Sequence, residues 1–328
     1  MLRRISLWFL ITLIVFVLEM IAFSVAAPGF LNFTNWLSMT ENFLFMGIMA
    51  MSQTFVIMAG GIDLSVGSMM SLTGVMMGVF WQHGINIWIA SILAVLVGGV
   101  AGWINGQLVI RTGIQPLIVT LSTLFIYGSL ATVIGNQGSI YGFPQPFLSV
   151  GTGDIFTIIP IQLLIFIVVA LIFWFLLQKT KYGRMVVFIG NNENVALYSG
   201  VSVKKIKLWT YVASGLTSGL ASVLLGSYFA SVRGDMGQDM ELSVITICLV
   251  GGVSIFGGVG SISGVVLGTF ILGMLAQGLN SLNVPSSEQS IVTGIILILA
   301  VGMQQFNAIL SRNRRGKESN KEVVSESA

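Results

Sequence analysis

Ten apolar stretches follow one another along this chain, separated by short polar breaks, and this alternation restricts the fold more than any other feature. They run roughly over residues 5–27, 43–59, 65–81, 87–110, 114–135, 155–178, 208–230, 241–256, 261–281 and 290–310. A helix needs about 20 apolar residues to cross the hydrocarbon core of a bilayer, and most of these stretches have them. Inside lipid, an unpaired backbone group is costly and a helix satisfies its own. The expected fold class is therefore all-α, a polytopic membrane protein of about ten transmembrane helices. The composition agrees: 55% of the 328 residues are hydrophobic and only 8% charged, against about 25% charged in an ordinary soluble domain.

The first stretch raises a separate question. Arg3 and Arg4 lead an apolar run, and Ser24-Val25-Ala26 resembles a signal cleavage site. A signal h-region, however, spans roughly 7–15 residues, and this run continues from Ile5 to Ala27. An uncleaved first span is the better reading.

Charge placement orients the spans. With the N-terminus in the cytoplasm, 14 of the 15 basic residues fall on the inner side and only Arg233 falls outside, as the positive-inside rule requires. The acids Glu41, Asp154, Asp235, Asp239, Glu241 and Glu288 fall outside or at the outer edge. Both termini are then cytoplasmic. One transmembrane domain is expected over residues 1–311, with its longest cytoplasmic loop at 178–207, and a polar, disordered tail over 312–328.

Several function classes find no support. There is no phosphate-cradling G-x-x-x-x-G-K-[ST] loop, no H-E-x-x-H and no G-x-S-x-G elbow. We expect no catalytic residues and no bound cofactor. One cysteine and one histidine leave no metal cluster to build. An ion-driven carrier keeps ionisable groups within the bilayer, and here the candidates are only Glu19 and Asp63. A stand-alone ion-coupled sugar carrier is thus the alternative to a transporter driven by a separate energy source.

The 178–207 loop carries a short helix signal. Asn192 suits an N-cap, Glu193 to Ser199 give two turns, and Gly200 is the stop. Val195, Ala196, Leu197 and Tyr198 give this helix an apolar surface with no fold of its own to bury it. It either rests on the membrane interface or fits a groove on a cytoplasmic partner.

The motifs around it resemble a known family. T-x-x-G-R (Thr180 to Arg184), I-G-N-N (Ile189 to Asn192) and A-L-Y-S-G-V (Ala196 to Val201) are similar to the coupling loop of permease subunits of ATP-binding-cassette (ABC) sugar importers. GGIDLSVGS (Gly60 to Ser68), NGQLVIRTGIQPLIVTLSTL (Asn105 to Leu124) and GGVSIFGGVGSISGVVLG (Gly251 to Gly268) extend the resemblance to the ribose-type, or branched, permease group. Within it, VALYSGV, SYFASVRGDMG and VLEMIAF look most like permeases of autoinducer-2 import systems. The resemblance implies a multi-pass protein of the bacterial plasma (inner) membrane. The implied activity is import of autoinducer-2 or, next, of ribose or another monosaccharide. The implied partners are cytoplasmic ATP-binding subunits, a second permease (identical or related) and an extracytoplasmic solute-binding protein, with no nucleic acid. It further implies that Arg184, Asn191, Glu193, Val195, Ala196, Leu197, Tyr198, Ser199 and Gly200 couple to the ATPase. Arg233, Asp235 and Asp239 on the outer loop 230–240 are candidates to dock the binding protein.

A small sugar needs polar, uncharged contacts along its path. Asn105, Gln107, Gln115, Thr120 and Ser122 supply amides and hydroxyls in and around the fourth and fifth stretches; interhelical hydrogen bonding is the alternative use for them. The glycine breaks remain. Gly60 and Gly61 are expected to end one helix while Asp63 or Ser65 caps the next. The weaker second copy has Ser254 where the first has Asp63, which favours a hinge or cap over a proton site.

Overall fold

The computed structural model describes residues 7–27, 30, 32–155 and 158–305, with the side chains of 7, 34 and 35 left aside. The expected tail 312–328 and the end of the last apolar stretch lie outside the described residues. The chain is mostly helical. In order the helices are α1 (Leu7–Ala26), α2 (Phe33–Thr40), α3 (Leu44–Met58), α4 (Val66–Gln82), α5 (Ile87–Thr112), α6 (Pro116–Ile134), α7 (Gln145–Thr152) and α8 (Ile161–Lys179). They continue with α9 (Lys181–Asn191), α10 (Glu193–Tyr198), α11 (Val203–Tyr228), α12 (Met240–Val250), α13 (Ile262–Ser281) and α14 (Ser286–Gln305). Four two-residue strands interrupt the all-helical expectation. β1 (Ile140–Tyr141) pairs antiparallel with β4 (Ser231–Val232), and β2 (Asp154–Ile155) with β3 (Ile159–Pro160).

Each of the ten apolar stretches contains a helix. Among the described residues seven helices, α1, α5, α6, α8, α11, α13 and α14, are long and apolar enough to cross a membrane. The remaining three, α3, α4 and α12, have only 15, 17 and 11 residues. Local chemistry sets several boundaries: Asn86 caps α5 by accepting from the Trp88 N–H at 3.0 Å, Pro116 opens α6, and Gly113 ends α5 in the left-handed region at φ 69°.

The centre is built from α3, α5 and α11. Every residue of α3 except Met46 is buried, as expected of a helix that is apolar all round. The 26-residue α5 and α11 are each about 39 Å long and pack along most of their length. Gly98 and Gly102 permit this. A Cβ at either position would fall on the main-chain carbonyl of Gly215 or Tyr211.

The surface inverts the soluble pattern. Exposed positions of α5 between 88 and 108 and of α8 between 164 and 175 are all apolar, whereas Ser52, Thr54, Thr73, Ser214, Ser218 and Thr246 are fully buried. Most of these hydroxyls donate to carbonyls three or four residues earlier, as Thr54 does to Ala50 at 2.8 Å, and Ser52 also bonds Thr217 at 2.5 Å.

Loops gather at two ends. At the basic end, Arg111 lies beside Lys204 and Lys205, the Met58 carbonyl accepts from the Gly258 N–H at 2.9 Å, and Trp8 Nε1 donates to the Val250 carbonyl at 3.1 Å. At the acidic end, β1 meets β4, and Tyr228 donates to Asn42 at 2.8 Å. Glu41 feels the charge of Asp154; burial and that charge raise its carboxyl to about 7.

Candidate functional site

Two helix breaks carry the polar chemistry of the basic end. The α3–α4 break begins with Gly60 at φ 79°; its N–H bonds the Ile57 carbonyl while the Gly61 N–H bonds that of Val56, both at 2.9 Å. This is the Schellman ending that a glycine at the first position past a helix provides. The α12–α13 break repeats it one residue out of step. There the second glycine of the pair, Gly252 at φ 83°, takes the left-handed turn, and Gly252 and Val253 bond Leu249 and Cys248 at 3.0 Å.

Asp63 is fully buried in the first break. Its Oδ1 accepts from the Ser65 N–H at 3.0 Å and from the Ser65 hydroxyl at 2.7 Å; its Oδ2 accepts from Ser214 of α11 at 2.9 Å. Ser65 occupies the N-cap position of α4 without capping through its side chain. The carboxylate therefore folds the loop and fastens it to α11. In the second break Ser254 Oγ accepts from the Phe256 N–H at 3.3 Å, the same bond to a residue two places on. A hydroxyl thus performs the turn-forming half of Asp63's role.

More side chains close on the loop between α3 and α4. Gln53 of α3 donates to the Asp63 carbonyl at 3.2 Å and Thr120 of α6 to the Ile62 carbonyl at 3.0 Å. Asn105 of α5 donates to Ser65 Oγ at 2.7 Å and accepts from Tyr127 at 3.1 Å. The loop is held by four helices at once. Two buried polar atoms beside it, Tyr211 OH and Gln53 Oε1, have no hydrogen-bond partner among the described residues.

The residues singled out as a solute path divide accordingly. Asn105 and Thr120 clamp the loop. Gln107 lies with Arg111, Lys204 and Lys205 in a shallow cleft at the basic end, Gln115 is exposed at the start of α6, and Ser122 is exposed and bonded back to Ile118 at 2.9 Å.

The short helix of the 178–207 loop forms as its sequence indicates. Asn192 Oδ1 accepts from the Val195 N–H at 3.0 Å, Glu193 opens α10, and Gly200 stops it at φ 80°. Ala196 is buried, while Val195, Leu197 and Tyr198 are 48%, 57% and 89% exposed; Ser199 and Gly200 are exposed too. Glu193 pairs with Lys207 of α11 at 2.7 Å.

Sequence reasoning missed the helix before it. α9 buries Gly183, Val186 and Ile189, spaced three apart, and exposes Arg184. Tyr182 stacks on Phe55 of α3 with centroids 5.9 Å apart. A Cβ on Gly190 would fall on the Met58 carbonyl and the Gly258 nitrogen, and one on Gly258 would fall on Asn191. The base of the α9–α10 unit therefore touches both helix breaks.

At the acidic end, Arg233 pairs with Asp235 at 2.5 Å, both half-exposed, and Asp239 sits at φ 62° immediately before α12. The Gly237 N–H donates to Ser71 of α4 at 2.8 Å, and this fastens the segment to the membrane helices.

Comparison with known proteins agrees with this architecture. Residues 35–301 match the family model described as "Branched-chain amino acid transport system / permease component". The proteins named "Autoinducer 2 import system permease protein LsrD" from Escherichia coli K12, Escherichia coli O9:H4 strain HS and Shigella flexneri are each 38% identical to this chain over 300 residues, 90% of it and 91% of each relative. No solved structure matches significantly. A family match spanning most of the chain, joined to 38% identity over nine-tenths of it, makes this chain a member of the permease-component family.

Proposed function

We propose that this permease is the membrane-spanning subunit of an ABC importer of the bacterial inner membrane that admits autoinducer-2, or failing that ribose or a related monosaccharide. The LsrD relatives, permeases of an autoinducer-2 import system by name, support the solute. The chain threads the membrane about ten times with both ends in the cytoplasm, so the basic end is the inner one. Cytoplasmic ATPase subunits grip α10 through Val195, Leu197 and Tyr198, flanked by Arg184, Asn191, Ser199 and Gly200. A second permease completes the channel, and a solute-binding protein docks at Arg233, Asp235 and Asp239.

The observation that carries this reading is the mounting of α10. Its apolar side is exposed, the end of α9 that carries it touches both helix breaks, and Glu193 ties it to α11. A push on α10 is then delivered to α11, to Ser214 and to the Asp63 loop that starts α4. The complex purified with its ATPase and binding protein is expected to hydrolyse ATP faster once autoinducer-2-loaded binding protein is added. Hydrolysis indifferent to the loaded binding protein contradicts the proposal.

A further inference from the structure

The outer surface of the helical body is not apolar all round. α6 exposes Leu121, Ile126 and Leu130 and also Ser122, Ser129 and Thr132; at 100° per residue Ser129 returns within about 20° of the bearing of Ser122, on a face that it shares with the exposed Phe125 and Val133. A cleft of about 480 Å³ opens beside Ser129 and Thr132; Ser68 of α4, Gln238, Asp239 and Glu241 form its other sides. Asp239 also borders a second cleft of about 370 Å³, where Ser243 of α12 faces Gln289, Ser290 and Thr293 of α14. A band carrying polar side chains thus runs from α6 past α12 to α14, interspersed with Leu124, Phe125 and Val133 in the first cleft and Leu272 and Leu275 in the second, while the exposed positions of α5 between 88 and 108 and of α8 between 164 and 175 are all apolar.

Carboxylates and hydroxyl rows of this kind do not face hydrocarbon; they face a water-filled cavity or the interior of a bundle. The volume of the first cleft falls in the range of small-molecule sites. Its chemistry is one-sided as well. Asp235, Asp239 and Glu241 border it, and Arg233 is already paired with Asp235.

We propose that this band is one wall of the solute's aqueous route, and that the cleft between α6 and residues 234–241 selects neutral, hydroxyl-bearing solutes while its acidic side repels anions. The inference rests on the importer reading and adds to it the wall and its selectivity. Ser129, Thr132 and Gln238 exchange hydrogen bonds with hydroxyls of the solute. The carboxylates accept hydrogen bonds from such hydroxyls and exclude phosphorylated forms of the same sugar.

Thiol labelling of the assembled complex tests this. The chain's single cysteine, Cys248, is buried, so the unaltered chain is the unlabelled reference. Ser129→Cys and Thr132→Cys are compared with Leu130→Cys, using a cationic and an anionic methanethiosulfonate of similar size. The expected result is labelling at 129 and 132 but not at 130, with the cationic reagent about tenfold faster. Labelled complexes then lose autoinducer-2 uptake relative to the same variants before labelling. Residues 129 and 132 no more reactive than 130 overturn the route, and so does labelling that leaves uptake intact; equal rates for the two reagents overturn the charge selectivity. Labelling rates are read without transport, so an unaltered complex that shows no uptake contradicts the importer reading and still leaves the cleft decided.

Discussion

Asp63 shows what one side chain can hold together in a dry interior. Three donors converge on its carboxylate, from Ser65 twice and from Ser214. Asp63→Asn keeps an oxygen toward Ser65, and its amide donates to Ser214, whose hydroxyl turns to accept. Asp63→Leu leaves those donors without a partner, at about 1–3 kcal/mol for each buried group. Uptake is therefore expected to persist in the asparagine variant and to collapse in the leucine variant; an inactive asparagine variant assigns a role to the charge itself. Tyr211→Phe is a companion test. Its hydroxyl bonds nothing among the described residues, so the melting temperature should stay unchanged, and a fall in uptake at constant stability shows that the hydroxyl is used in another state of the cycle. Glu41 supplies a pH dependence. Its carboxyl holds its proton up to about 7, against 4.5 ordinarily. The folded state thus binds the proton more tightly, and stability falls as pH rises from about 4.5 through 7. Melting in detergent across that window should show the loss in the native chain and a smaller one in Glu41→Gln. At this scale the local features were legible, including the Asn192 cap and the Gly60 and Gly200 turns, because their partners lie within a few residues. The bond from Asp63 to Ser214 joins positions 151 apart, and no local pattern announces it.

Among the elements, α10 was readable and α9 was not. A cap, two turns and a glycine stop suffice to specify α10, whereas α9 hides its amphipathic spacing among basic residues that already marked the loop as cytoplasmic. The α10 ion pair contributes little by itself, since Glu193 is half-exposed and exposed pairs are worth about 0–1 kcal/mol. Lys207→Ala should leave the melting temperature nearly unchanged. The α5–α11 seam is the opposite case. Gly215→Ala places a methyl on the Gly98 carbonyl, and overpacking of this kind costs about 1–3 kcal/mol. A clear drop in melting temperature is expected, and an unchanged one contradicts the close approach. The glycine copies at the two breaks were visible as repeats, but their left-handed residues differ by one place, Gly60 being first of its pair and Gly252 second.

For the whole molecule, the sequence and the fold agree on an apolar body with a basic and an acidic end, because hydropathy and charge are written position by position. The polar band was harder to see: it collects Ser129, Gln238, Asp239 and Thr293 from distant elements, and the amides first considered for a path instead clamp a loop or lie at the basic end. The central claim is that α10 converts ATP hydrolysis on a partner into solute movement through this chain. It is tested most directly by autoinducer-2 uptake into proteoliposomes holding the full complex, with Leu197→Asp and Tyr198→Ala in α10. Those side chains are 57% and 89% exposed, so the variants should fold and assemble within the membrane. The expected result is ATP-driven uptake in the native complex and its loss in both variants, with unaltered melting temperatures. Undiminished uptake in the variants, or uptake by this chain alone under an ion gradient, contradicts the account.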